Sequence, residues 1–231
     1  EGEWLKEHRE GHGVHTFADG AKYSGRWAKD ACKGQGEMQF RNKDVYEGQW
    51  SADQRNGTGK YRTYSTGEVY EGQWVNNMHC GRGQMIYRNG CRFEGQWTNG
   101  HMSKQGLLTM PNGDCFQGRF AHDKRVDGFG LMLYALGDQY EGEWAGELKN
   151  GEGEMRYENG DKYVGQWSND AQNGKGTITM SGGDKFTGEW VNNRRHGLGT
   201  CWYANGDKYT GEWRNDEWHG DGELGQHYVG Q

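Results

Sequence analysis

The sequence has few of the residues that an ordinary globular domain uses to build its core. Only 32% of its 231 residues are hydrophobic, and the mean hydropathy is -1.19. The longest uninterrupted apolar run is six residues, Leu131–Leu136, whereas a helix needs about 20 such residues to span a bilayer. This composition argues against a membrane-spanning segment in this stretch of chain.

Proline, cysteine and net positive charge are also scarce. There is one Pro, and the five Cys are odd in number and share no common position in the sequence, so we expect free thiols in a reducing compartment. The formal net charge is -6, which argues against a nucleic-acid partner because phosphate backbones attract basic surfaces.

Glycine and aromatic residues are abundant, and they are periodic. The chain has 42 Gly, 11 Trp, 13 Tyr and 7 Phe. An aromatic-x-Gly-x-aromatic motif recurs nine times at steps of 23 or 24 residues, and we predict that its aromatic side chains form the core. The nine copies are Tyr23-Gly25-Trp27, Tyr46-Gly48-Trp50, Tyr70-Gly72-Trp74, Phe93-Gly95-Trp97, Phe116-Gly118-Phe120, Tyr140-Gly142-Trp144, Tyr163-Gly165-Trp167, Phe186-Gly188-Trp190 and Tyr209-Gly211-Trp213.

Each period is predicted to contain two short antiparallel strands. The motif places its aromatic, glycine and second aromatic residues at alternate positions, which lie on one face of a strand. A Gly-x-Gly follows most closing aromatics after seven residues, and a second alternating stretch follows it. Asn89-Gly90, Asn159-Gly160 and Asn205-Gly206 are typical of turns between strands. Because single hairpins cannot bury an apolar face, they are expected to stack on one another.

This pattern of Y-x-G-x-W, G-x-G and N-G-x-x-Y resembles the MORN repeat (membrane occupation and recognition nexus). The resemblance implies an all-β fold, an elongated and twisted solenoid-like array of stacked antiparallel β-hairpins. We expect one array over residues 1–231, with a repeat tail at 1–4, about nine full repeats at 5–213 and a shortened terminal repeat at 214–231. The incomplete first motif suggests a fragment of a longer array.

Two consecutive periods depart from the pattern. Lys104 stands where the first glycine of Gly-x-Gly is expected, Phe120 replaces a Trp, and the next connection is one residue longer. A bend or change of twist and simple drift of the repeat both fit these departures. Nearby, apolar residues occupy outward positions that are polar elsewhere, which indicates either a partner contact or a locally better covered core. These residues are Ile86, Leu107, Leu131 and Leu133.

The sequence shows no constellation of groups that would support catalysis, and we expect no enzyme activity and no cofactor. The alternative considered for metal is a zinc site shared between two chains, using His79, Cys80, His196 or His219 in the predicted loops before Gly-x-Gly. Asn occupies the column of His196 and His219 in other periods, so a role in turns is favoured for these two residues.

The function implied by the resemblance is a non-catalytic scaffold that binds proteins, as in cytoskeletal and ciliary MORN proteins. Its expected location is cytoplasmic and cytoskeleton-associated, at the cytoplasmic face of a membrane or in a cilium. The alternatives are a peripheral phospholipid or phosphoinositide-binding module, for which Arg194 and Arg195 are the candidate residues, and a targeting array of a larger enzyme.

We also expect self-association through the C-terminal repeats, giving a homodimer. A terminal hairpin leaves one strand edge unpaired, and exposed aromatic rings are favoured anchors at interfaces. The candidate interface residues are Trp190, Trp202, Trp213 and Trp218. The alternative for Trp202 and Trp218 is that they cap their own chain.

Overall fold

The computed structural model describes residues 2–225, and these residues form strands and turns without a helix. The all-β fold of stacked antiparallel hairpins is therefore confirmed. The residues group into two compact units. Unit 1 contains the residues up to Pro111 together with Phe120–Lys124, and unit 2 contains Asn112–Arg119 and the residues from Arg125 onward.

Unit 1 is a ladder in which each strand pairs antiparallel with the next one along the chain. Its strands are β1 (Gly2–Leu5), β2 (His8–Thr16), β3 (Lys22–Ala28), β4 (Ala31–Gln39), β5 (Val45–Ser51), β6 (Gln54–Arg62), β7 (Val69–Val75), β8 (Met78–Ile86), β9 (Arg92–Thr98) and β10 (His101–Thr109). Two short strands, β11 (Cys115–Ala121) and β12 (Lys124–Arg125), contain residues of both units.

Unit 2 repeats the same arrangement. Residues of β11 pair with β13, and every later strand pairs antiparallel with the next. The strands are β13 (Gly128–Leu133), β14 (Gln139–Ala145), β15 (Leu148–Arg156), β16 (Lys162–Ser168), β17 (Ala171–Thr179), β18 (Lys185–Val191), β19 (Arg194–Trp202), β20 (Lys208–Arg214) and β21 (Glu217–Gly225).

One face of each ladder, called here the inner face, carries the rings of the aromatic motif. All of these rings are at most 5% exposed. Tyr163 is typical, because its ring makes edge-to-face contacts with Trp167 of its own motif and Trp190 of the next, each with centroids 5.2 Å apart. Such edge-to-face pairs add to the stabilisation from buried area. The regular spacing of the motif thus produces a continuous aromatic stack within each unit.

The motif glycines leave room for these rings. The ring of Tyr140 lies over Gly142 of its own strand and Gly153 of the next strand. A Cβ atom added to Gly153 would lie 2.4 Å from the Tyr140 hydroxyl oxygen, closer than side chains can approach. The absence of a side chain at Gly153 therefore makes space for the Tyr140 ring of the same repeat.

A tight turn follows each strand that ends the aromatic motif. The turn after each Trp strand has only two central residues, both with positive φ in most repeats, as in Asn192 (49°) and Asn193 (66°). These angles are those of a type I′ turn, whose twist matches that of the flanking strands. The connection is therefore shorter than the sequence analysis expected. His79, Cys80, His196, His219 and Trp218 lie in strands and not in loops.

Asp and Asn side chains at the turns tie consecutive repeats together. Asp161 follows an Asn-Gly turn, and its carboxylate accepts a hydrogen bond from the amide of Ser181 in the next turn at 2.8 Å. At the opposite edge, Asn193 accepts a hydrogen bond from the amide of Gln172 in the preceding repeat at 2.7 Å. Similar bonds recur along both units and satisfy backbone donors that strand pairing leaves free.

The boundary between the units falls within the irregular periods. Lys104 takes the left-handed conformation, with φ of 54°, that glycine adopts at the same position in regular repeats, such as Gly81 at 57°. The pairing of β10 with β9 shifts register between Ser103 and Gly106. The position thus needs a positive φ, whichever residue occupies it.

Candidate functional site

A row of variable side chains lies beside the tryptophans on the inner face. Each member is five residues after the Trp of its repeat, and the type I′ turn makes it the cross-strand partner of that Trp. The row contains Cys32, Arg55, His79, Met102, Lys149, Gln172, Arg195 and Trp218. This row differs in chemistry from repeat to repeat, whereas the aromatic stack beneath it is nearly constant.

Several cations of this row lie over aromatic rings. The guanidinium carbon of Arg55 is 4.4 Å from the centroid of the Trp74 ring, and that of Arg195 is 4.4 Å from Trp213. In unit 2, Lys149 Nζ is 4.8 Å from the Trp167 ring. Cation–π contacts of this kind are favourable at partly buried positions. The inner face therefore combines flat rings with positive charge.

A concavity of the inner face lies in unit 1, between β6 and β8. This recess has a volume of about 410 Å³, and its walls combine apolar, aromatic, cationic and acidic groups. The residues that line it include Arg55, Tyr61, Thr63, Glu68, His79 and Met85. Concave sites with a mostly apolar lining and a few polar groups are typical of ligand binding.

His79 forms one wall of the recess. Its ring stacks on Tyr70 with centroids 3.7 Å apart and makes an edge-to-face contact with Trp74 at 4.5 Å. Burial, assisted by the nearby Arg55 charge, lowers the pKa of His79 to about 4. The imidazole is therefore neutral at physiological pH and acts as an aromatic surface.

Arg55 and Tyr61 are held on the other side of the recess. Arg55 donates a hydrogen bond from Nη2 to the backbone oxygen of Asn77 at 3.0 Å. Tyr61 donates its hydroxyl proton to Asp44 at 2.6 Å, and burial together with Asp44 raises the pKa of Tyr61 to about 12. The sequence analysis did not single out these residues. For Arg55, the signal that would have found it is its position five residues after a motif Trp, which its counterparts in other repeats share.

The candidate metal ligands do not converge. Among residues 2–225 there is no group of three or more His, Cys, Asp or Glu side chains placed to hold a metal ion. His79 packs within the aromatic stack, while His196 on β19 pairs across the ladder with Glu189 on the outer face, the face opposite the rings. Cys80 pairs across the ladder with Gln73, and His219 with Glu212.

The candidate interface residues differ in exposure and in the face on which they lie. Trp190 and Trp213 are 4% and 3% exposed, so they belong to the core and offer no surface to a partner. Trp202 is 40% exposed on the outer face, whereas Trp218 lies on the inner face, stacked on Tyr209 with centroids 4.6 Å apart. Strand alternation thus places Trp202 and Trp218 on opposite faces, so the two rings do not form one continuous surface.

The aliphatic candidates lie on the outer face. Ile86, Leu107 and Leu133 are 42%, 39% and 43% exposed, and Leu131 is half-buried.

The two candidate lipid-binding residues differ in their exposure and contacts. Arg194 is exposed, but the Arg195 guanidinium covers Trp213 and its Nε donates a hydrogen bond to Asp216 at 3.1 Å. The basic cluster seen in the sequence is therefore divided between two faces.

No helix of residues 2–225 is long and apolar enough to cross a membrane. No protein with a curated functional description matches the sequence.

The fold is similar to the TCP10 domain of CPAP from Danio rerio, with 11% identity, coverage of 86% of this chain and 93% of that chain, and a TM-score of 0.48. It is also similar to the TCP domain of SAS-4 from Drosophila melanogaster, solved with a proline-rich motif of Ana2, with 17% identity, coverage of 75% and 86%, and a TM-score of 0.41. These similarities concern the fold alone.

The MORN repeat family model matches nine segments that cover most of the sequence. They are residues 1–22, 23–45, 46–67, 70–92, 93–115, 140–162, 163–185, 186–208 and 209–224. The unmatched stretch between 115 and 140 contains Phe120 and the lengthened connection. The resemblance found in the sequence is thus confirmed, and the chain belongs to the MORN-repeat family.

Proposed function

We propose that this chain is a non-catalytic scaffold whose inner face binds a segment of a partner protein. The observation that carries the proposal is the recess between β6 and β8, where an otherwise regular aromatic stack opens into a concavity. Its stacked rings are rigid, and such rings provide contact area at little cost in conformational entropy. Met85 at its edge can adapt to the shape of an inserted side chain.

The neighbouring charges favour a partner segment that carries both apolar and polar groups. The Arg55 guanidinium and the Glu68 side chain line the same recess and can orient a bound segment. A cytoskeletal or ciliary setting is part of this proposal, and it rests on the family resemblance alone.

The test is to fill the recess without disturbing the core. Peptides that bind the parent chain are first selected from a displayed random library. Their affinities are then measured for Thr63→Trp, which fills the recess, and for Thr58→Trp, which places the same side chain on the outer face of the same hairpin. We expect at least a tenfold loss for Thr63→Trp and little change for Thr58→Trp. Equal affinities for both variants would contradict the proposal.

We further propose that the chain self-associates through its last described strand. All nine residues of β21 are exposed, and within residues 2–225 this strand pairs with β20 alone. An exposed strand edge of this length is a template for pairing with another chain. Trp218 and Leu224, each 52% exposed, add apolar surface beside the edge.

Light scattering at tens of micromolar protein tests this self-association. We expect a mass about twice 26.3 kDa for the parent. Trp218→Ala combined with Leu224→Ala should shift the mass toward the monomer, while Trp202→Ala on the opposite face should leave the dimer intact. A monomeric parent, or a double variant that remains fully dimeric, would exclude this mode of association.

A further inference from the structure

The outer face of unit 2 carries an exposed indole between two lysines. Trp202 of β19 pairs across the ladder with Lys185 of β18 and with Lys208 of β20. The two ammonium nitrogens lie 5.6 Å and 5.7 Å from the centroid of the Trp202 ring. The neighbouring Cys201 faces the core and is 2% exposed, so strand alternation holds the indole outward.

Neither of these two lysines makes an ion pair within residues 2–225. An aspartate precedes each lysine, but both aspartates are engaged at the turns. Asp184 accepts a hydrogen bond from the Ala204 amide, and Asp207 accepts one from the Asn205 side chain, each at 2.8 Å. The two ammonium groups beside Trp202 therefore make no direct ion pair and can contact a partner.

A row of hydroxyl groups lies next to the indole. Thr177, Thr187, Thr200 and Thr210 are consecutive cross-strand partners on β17 to β20. The hydroxyl oxygens of Thr177 and Thr187 are 2.9 Å apart, and those of Thr200 and Thr210 are 3.1 Å apart. A shallow hollow of about 450 Å³ beside these threonines is lined by Lys175, Glu189 and Leu198 as well, and Leu198 is 65% exposed. We call Lys185, Trp202, Lys208 and the four threonines the Trp202 platform.

The spacing of the platform specifies what would complement it. Neighbouring strands are about 4.8 Å apart, so the backbones at Lys185 and Lys208 are separated by about 10 Å with Trp202 midway. An extended peptide advances about 3.4 Å per residue and directs every second side chain to the same face. Two acidic residues four positions apart, about 14 Å, and the residue midway between them therefore all point toward the platform, and the flexible lysine side chains can span the remaining difference. An apolar side chain between them would then lie on the indole.

We propose that the Trp202 platform binds an acidic segment of a partner protein, with two carboxylates four residues apart flanking a central apolar side chain. The indole supplies most of the contact, because Trp is a preferred anchor at protein interfaces. The lysines contribute specificity for negative charge more than affinity, since exposed ion pairs are individually weak. The platform belongs to unit 2 and shares no residue with the recess of unit 1, so the chain can hold two partner segments at once.

The test uses a nine-residue probe, Gly-Ser-Asp-Ser-Phe-Ser-Glu-Gly-Ser, and a neutral counterpart with Asn and Gln in place of the two acids. Binding is followed by the indole NH signal of Trp202 in the ¹⁵N-labelled full chain, assigned with Trp202→Phe. We expect the acidic probe to shift this signal in a saturable manner, and the neutral probe to bind at least fivefold more weakly.

Two double variants, each replacing two cations by Glu, show whether the shift depends on the lysines of the platform. Lys185→Glu with Lys208→Glu should abolish the shift. Arg62→Glu with Arg92→Glu alters the corresponding row of unit 1, where Val69 and Ile86 stand between the cations, and should leave the shift unchanged. Thr63→Trp should also leave it unchanged, so failure at the recess and failure at the platform are distinguishable.

Three results would overturn the proposal. The first is the absence of any Trp202 shift at millimolar probe. The second is equal binding of the acidic and neutral probes. The third is a tighter, saturable shift of the same signal by a twelve-residue oligouridylate, which would assign the platform to single-stranded nucleic acid instead.

Discussion

The indole Nε1 of Trp167 donates a hydrogen bond to the backbone oxygen of Gly153 in the preceding repeat, at 3.3 Å. Seven other motif tryptophans make the same bond to the corresponding glycine, at 3.0–3.3 Å. Each Trp thus joins two repeats by packing and by one directional bond.

Truncation of Trp167 should be costly. Trp167 is 4% exposed, and we expect Trp167→Ala to lower the free energy of unfolding by about 3 to 5 kcal/mol, because it removes a buried ring and leaves a cavity. Urea denaturation followed by far-UV circular dichroism measures the change. Trp202→Ala, the same substitution at a 40% exposed site, should cost less than about 1 kcal/mol. Similar losses for both variants would mean that the aromatic stack is not the core.

Two Gly→Ala substitutions should have opposite effects. Gly153 has an ordinary φ, but its added Cβ would meet the Tyr140 ring, and we expect Gly153→Ala to destabilise the chain by about 2 kcal/mol or more. At Gly182 an added Cβ meets nothing within 4 Å, and φ is also unstrained. Gly182→Ala should therefore be neutral or stabilising by up to about 1 kcal/mol, since it restricts the unfolded chain. Thermal denaturation of both variants decides the comparison, and equal melting temperatures would contradict the steric explanation.

Lys104→Gly should stabilise the irregular repeat. A non-glycine residue in the left-handed region costs about 1 to 2 kcal/mol, and Lys104 has a φ of 54°. We expect a gain of about 1 kcal/mol in urea denaturation. Lys175→Gly is the matched control, because Lys175 lies between two glycines in an extended strand, and it should lose about 0.5 to 1 kcal/mol. A loss on Lys104→Gly would show that the lysine side chain compensates for the strain.

His79 should make stability depend on pH between about 4 and 6.5. Its folded-state pKa is lowered to about 4 by burial and by Arg55, so in this range the unfolded chain binds a proton that the folded chain does not. The contribution is complete above about pH 6.5 and is lost as the pH falls toward 4, with a size on the order of 1 to 3 kcal/mol.

The measurement compares the parent with His79→Phe, which keeps an aromatic ring but cannot titrate. The difference in unfolding free energy between pH 7 and pH 4.5 should be smaller in His79→Phe. The exposed turn variant His122→Asn serves as control and should follow the parent. Parallel pH curves for the parent and His79→Phe would exclude this role for the imidazole.

Binding to anionic membranes should be weak. Arg195 is engaged with Trp213 and Asp216, which leaves Arg194 as the exposed cation of the short basic cluster. With a net charge of -6, the chain should stay in the supernatant when vesicles containing anionic lipid are sedimented at about 150 mM salt. Saturable micromolar binding to phosphoinositide vesicles, lost on Arg194→Glu, would instead favour the lipid-binding alternative.

The sequence by itself determined the repeat, the strand pairs and the identity of the core rings. Tyr163, Gly165 and Trp167 occupy alternate positions, and this period of two can bury all three only on one face of a strand. The periodic placement of such triplets also required hairpins to stack, because no other apolar surface is available in so polar a chain. These features are local in the chain and recur nine times, so sequence reasoning could find them.

Only the tertiary structure decided which side chains of different repeats meet. The bond from the Ser181 amide to Asp161 and the recess between Arg55 and His79 join residues about 20 positions apart, and their geometry depends on turn type and strand register. The two-residue type I′ turn was the decisive detail. It moved His79 and Trp218 from predicted loops onto the inner face, and strand alternation placed Trp202 on the outer face. The chemistry of the two faces followed from that register, because a shift of one residue exchanges every side chain between them.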